Sequence, residues 1–153
     1  MKVRLAVLVA LLCLALRASA WEQSCFACVF DDGPTNGYYN ALFIDGPNPG
    51  PFGENISDGF YPTQSGIGTG LDFGIWVPTG LLPTTVTWWV GTTPFGSDIS
   101  SGVANDLQVS LHNHNEQYDY DVYDVHIDAF FGDFIAGNRY WLSLGNANDS
   151  GER

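Results

Sequence analysis

Residues that interrupt regular helix are the strongest constraint on this chain: all eighteen glycines and all eight prolines fall after residue 20. They crowd into "DDGPTNG" (Asp31 to Gly37), "DGPNPGPFG" (Asp45 to Gly53), "SGIGTG" (Ser65 to Gly70) and "VPTGLLP" (Val77 to Pro83). Such clusters supply residues that preset or tolerate turn conformations. No stretch beyond them keeps a helical period for more than about two turns. Between the breakers lie short runs rich in β-formers: Tyr38 to Ile44, Ile56 to Pro62, Leu71 to Val77, Thr84 to Gly91, Asp106 to Asn113, Tyr118 to Phe130 and Arg139 to Gly145. Seven strands at this spacing predict an all-β fold, an antiparallel β-sandwich with a jelly-roll-like form. No internal repeat or linker divides them, so one domain is expected over residues 21–153, best defined over 31–147.

The first twenty residues have a different character. Lys2 and Arg4 precede an apolar run from Leu5 to Leu16, and Ala18-Ser19-Ala20 follows as a small-residue cleavage site. A run this short cannot span a bilayer, which needs about 20 apolar residues. The pattern is that of a signal peptide. The mature chain is expected to start at Trp21, to be secreted or held in the cell envelope, and to have no stable membrane insertion.

Removal of that segment takes Lys2, Arg4 and Arg17 with it. Arg139 and Arg153 then stand alone against seventeen acidic residues, a net charge of −15, and no lysine remains. Such a field repels nucleic acid and anionic lipid, favours solubility and attracts cations. Cys25 and Cys28, in "CFAC", are the two cysteines left after export. Without a second pair or a βαβ pattern, a local disulfide formed in an oxidising compartment is the preferred reading over zinc or redox chemistry. Its closed loop is too short to add much stability by chain entropy.

Strand phase raises the question of function. In "TTVTWWVG", Val86, Trp88 and Val90 share one face and Thr85, Thr87 and Trp89 the other, because successive strand side chains alternate. Trp88 is thus the core tryptophan and Trp89 the outward one. In "LDFGIWV" the inward set Leu71, Phe73, Ile75 and Val77 leaves Trp76 outside with Asp72 and Gly74. In "RYWLSLG" the inward set Tyr140, Leu142 and Leu144 leaves Trp141 outside with Ser143. Trp89, Trp76 and Trp141 are therefore candidates for a carbohydrate-stacking platform, in which indole faces meet the C–H faces of sugar rings. Coverage by another layer of the fold, or an aromatic patch for a protein partner, would place the same residues in the same way.

"LHNHNEQYDYDVYDVHIDAFFGD" holds the one constellation resembling metal or acid–base chemistry. His112 and His114 lie two apart, and Asp124, His126 and Asp128 alternate on a second strand, a donor set that suits a transition metal. The same alternation also describes a solvated sheet face. No cofactor is implied, although Ca2+ would suit the acid-rich turns at Asp31-Asp32 and Asp45; no D-x-[DN]-x-[DN]-G loop occurs. Nucleophile-elbow, zincin, P-loop and kinase signatures are all missing. A glycosidase would need two opposed carboxyls, and these would have to be aspartates.

Taken together, "DDGPTNGYYNALFIDG", "ISDGFYPTQSGIGTGLDFGIWVPTG", "TTVTWWVGTTPFGSDISSG" and "GNRYWLSLGNA" resemble exported bacterial surface proteins of the PEP-CTERM type. The resemblance rests on the order of four motifs from Asp31 to Ala147. It implies an all-β extracellular domain associated with exopolysaccharide, and carries over no catalytic residue. Where this group has a small polar residue, the chain has Trp89. It stops at "NDSGER" without the P-E-P motif, apolar helix and basic end of that group, so the expectation is either a released protein or an incomplete gene product.

The combined expectation is a non-enzymatic extracellular β-sandwich that binds exopolysaccharide weakly through outward aromatics, with polysaccharide or surface proteins as partners. Its rivals are a glycan-active hydrolase using an aspartate pair from Asp119 to Asp133, and an acidic matrix protein that binds cations.

Overall fold

A computed structural model describes residues 55–151. The signal segment, Cys25 and Cys28, the acidic turns at Asp31-Asp32 and Asp45, and the strand expected at Tyr38 to Ile44 lie outside the described residues. Within them the chain is all-β: β1 (Ile56–Phe60), β2 (Gly66–Pro78), β3 (Pro83–Gly91), β4 (Ser100–Ala104), β5 (Gln108–Asn115), β6 (Tyr120–Phe134) and β7 (Tyr140–Asp149). They form two antiparallel sheets, ordered β1-β7-β3-β4 and β2-β6-β5. The sheets make a sandwich around one apolar core. No helix among the described residues is long and apolar enough to cross a membrane.

The period-two alternation read from the sequence places the core. Val86, Trp88 and Val90 of β3 are buried, as are Tyr140 and Leu144 of β7. The opposing sheet contributes Ile75 and Val77 from β2 and Tyr123, Val125 and Ile127 from β6. The Trp88 indole crosses between the sheets and meets Phe131 at 4.5 Å between ring centroids. At one end Phe60, Phe134 and Tyr140 close the core, with Phe134 and Tyr140 edge to face at 5.0 Å. The Tyr140 hydroxyl accepts the Ile135 N–H at 3.1 Å, so the phenol has a partner at the core boundary.

Two elements differ from the sequence expectation. Ser65 to Gly70 reads as a turn but opens β2. Its glycines permit close packing, since a Cβ on Gly68 would lie 2.7 Å from the Phe134 ring. A register shift between Gly68 and Gly70 absorbs the irregularity opposite β6. The second is β4, "SSGVA", which has no apolar alternation to announce it. Gly102 faces inward opposite Trp88 and Val103 faces out, 60% exposed, an inversion of the usual pattern. The cause is the indole: a Cβ at Gly102 would come within 2.8 Å of Trp88. The large residue on β3 demands the missing one on β4.

Candidate functional site

The outer face of the four-stranded sheet is built from β1, β7, β3 and β4 by register. Trp89 lies opposite Ser143 of β7 and Ser101 of β4, and Trp141 lies opposite Gly91 of β3 and Gly59 of β1. Trp89 and Trp141 are thus diagonal neighbours on one face, both half-buried. Small residues make the floor on which they lie. A Cβ on Gly145 would meet the Trp89 ring at 3.2 Å and would overlap the Asn55 carboxamide. A Cβ on Gly59 would meet Trp141 at 3.2 Å and the Arg139 guanidinium at 3.0 Å. The Ser143 hydroxyl donates to Ser57 Oγ at 2.8 Å, tying β7 to β1 across this floor.

Aromatic and cationic groups rim the same face. The Arg139 guanidinium lies 4.3 Å from the Trp141 ring centroid and 5.8 Å from that of Tyr61, within cation–π range of both. Tyr61 is 54% exposed. The connection from β3 to β4 folds back over Gly91, where a Cβ would strike Asp98 and Gly96. Asp98 holds this loop by accepting the Thr92 N–H at 3.0 Å and the Thr92 hydroxyl at 2.8 Å. Those bonds lower its pKa, the hydroxyl contributing most. The loop presents Phe95 at positive φ and largely exposed, with its N–H donated to Ser57 Oγ at 3.3 Å.

Trp76 is elsewhere, on the outer face of the three-stranded sheet, opposite Val122 and tilted against Tyr120 with centroids 6.4 Å apart. The three outward tryptophans therefore do not share one surface. Trp89 and Trp141 are brought together, and Trp76 is separated from them by the thickness of the sandwich.

The histidine and aspartate set is divided in the same way. His126 Nδ1 lies 2.8 Å from Asp72 and its Nε2 lies 3.2 Å from Asp128, all on the outer face of the three-stranded sheet. Gln108 donates to the second oxygen of Asp128 at 2.9 Å. Contact with two carboxylates, Asp72 foremost, raises the His126 pKa above its ordinary value. His112 pairs separately with Asp124 at 3.1 Å. His114 pairs with Asp121 at 2.9 Å on the other side of the strand, at the end of the core. Asp121 also accepts the Gly80 N–H at 2.9 Å, which is the main reason its pKa is lowered, with His114 second. Each histidine is thus satisfied by its own aspartate, and among the described residues no three His, Cys, Asp or Glu side chains gather as a metal cage. A shallow depression lies beside the first two pairs, lined by Gln108, Ser110, Asp124 and His126 with Val109 and Val125 beneath.

Sequence reasoning did not single out Arg139, Tyr61 or Phe95. The signal for Arg139 is nonetheless present, because Arg139 and Trp141 are two apart in a strand-forming run and point the same way. Comparison of the chain with known protein families, with curated proteins and with solved structures finds no match.

Proposed function

We propose that this chain is a secreted, non-enzymatic β-sandwich protein of the cell envelope or extracellular matrix that binds polysaccharide on the outer face of the four-stranded sheet. One observation carries the reading. Trp89 and Trp141 are diagonal neighbours over a glycine and serine floor, with Tyr61 and Phe95 exposed at the rim. Half-buried indoles held by a rigid sheet lose little freedom when a sugar ring stacks on them, while serine and threonine hydroxyls beside them orient its polar edge. The signal-peptide pattern expected in the first twenty residues and the resemblance of the motif order to PEP-CTERM-type surface proteins support a location outside the cell. Two stacked rings make a weak site, on the order of millimolar, or about −4 kcal/mol.

Titration of the mature protein with soluble exopolysaccharides, followed by tryptophan fluorescence, tests this. Saturable shifts are expected, and Trp89→Ala and Trp141→Ala each reduce them while the far-ultraviolet spectrum keeps its β character. Trp76→Ala leaves the response intact. A panel of glycans without any saturable response would end the proposal.

A further inference from the structure

We propose that Arg139, stacked on Trp141 beside Tyr61, is the recognition point for a sugar carboxylate, so that the polysaccharide bound on this face is a polyuronate; this rests on the glycan-binding reading above. Arg139 is the single Lys or Arg among the described residues, which include eleven aspartates and glutamates. Yet the ion pairs formed there all use histidine, and none uses Arg139. An arginine whose purpose was to offset that acidity would be expected against a carboxylate. This one lies against aromatic rings instead, and Gly59 keeps open the space its Nε and one terminal nitrogen occupy, each 3.0 Å from where a Cβ would be.

Contact with the rings occupies none of the guanidinium N–H donors, so the fork stays available for a hydrogen-bonding partner. A planar, bidentate acceptor matches that fork, and a carboxylate is such a group. In a uronate the carboxylate projects from the rim of a pyranose whose C–H face is apolar, so one residue of the polymer offers both halves of the contact. The net negative charge of the chain opposes a polyanion at long range. At about 0.15 M salt, however, the Debye length is about 8 Å, so charges on the far side of the sandwich are screened while a direct contact is not; the acid built into this face is Asp98, over Gly91, and its carboxylate is already bonded to Thr92.

The test compares polygalacturonate with its fully methyl-esterified form, which keeps the ring and removes the charge. Binding is measured calorimetrically on the mature chain, with a chelator present to exclude calcium bridging. The wild type is expected to prefer the acid form by about tenfold, the range of one charge-assisted hydrogen bond. Arg139→Gln should bind both forms as the wild type binds the ester, with unchanged melting temperature, and Arg139→Lys should keep only part of the preference. Equal binding of both forms by the wild type, or a preference that survives in Arg139→Gln, overturns the carboxylate assignment alone. Failure of the wild type to bind either form overturns the polyuronate proposal, and the glycan reading falls with it only when the wider glycan panel also gives no saturable response.

Discussion

The two outer faces of the sandwich are made by the same rule and are chemically opposite. Over the four-stranded sheet, indoles lie on glycine and serine, with a lone guanidinium at the rim. Over the three-stranded sheet, imidazoles are matched with carboxylates, and an indole stands at the end of the row. The second face carries His126, whose pKa is raised by its contact with Asp72 and Asp128. Its polar groups are already satisfied by one another. On the first, Ser57, Ser143, Thr92 and Asp98 are bonded within the face, while the Arg139 guanidinium lies against rings and takes part in none of the ion pairs among the described residues.

The sharpest way to break that contrast is to exchange which indole is lost. Trp88→Ala removes the residue that joins the sheets and is expected to cost about 3–5 kcal/mol. Trp89→Ala, half-buried on the outer face, should cost only about 1–2 kcal/mol. Urea unfolding of both variants decides the matter. Equal losses would mean that Trp89 is a core residue and not a surface one.

A second comparison sharpens how the sheets are coupled. Gly132 of β6 has φ of 135°, and a Cβ there would fall 2.5 Å from a methyl of Ile99, in the connection between β3 and β4. Gly132→Ala combines backbone strain with steric overlap and is expected to lose about 2–4 kcal/mol. Gly80 has φ of 82° but nothing within 4 Å, so Gly80→Ala should lose about 1 kcal/mol from the backbone alone. Thermal melts that rank the two the other way would show the contact at Ile99 to be loose.

The smallest effect belongs to the titrating face. Because the His126 pKa is raised in the folded chain, the stability from its two carboxylate contacts is fully present below the ordinary histidine value of 6.5 and is lost as pH rises through the folded value. His126→Gln should therefore melt lower than wild type in mild acid and converge with it in alkali. Both aspartates are largely exposed, which keeps the difference small. A gap in melting temperature that is constant across the pH range would mean that His126 contributes by packing. Neither Trp89 nor Trp141 fluorescence should follow this titration, since the thickness of the core separates the two faces.

Much of the architecture was legible in the sequence because its cause is local. The glycine and proline cluster at Val77 to Pro83 marked the turn between β2 and β3, and alternation told Trp88 from Trp89 without knowledge of any partner. The failures were equally physical. β4 carries no alternation because its inward glycine is defined by an indole on another strand, and Ser65 to Gly70 resembles a turn because its glycines serve close packing against Phe134. The histidine and aspartate spacing suggested one cluster, whereas a bulge between Leu111 and Asn113 and the pairing with Asp72 of β2 divide it.

By itself, then, the chain determined its all-β character, its core side and the surplus of outward aromatics, all consequences of a two-residue backbone period and of turn-forming residues close by. Only the tertiary structure decided that Trp89 and Trp141 are neighbours while Trp76 is remote, that Arg139 stacks where it could have paired with an acid, and that each histidine has its own aspartate. Those facts depend on strand order and register between segments far apart in sequence. No local period encodes them.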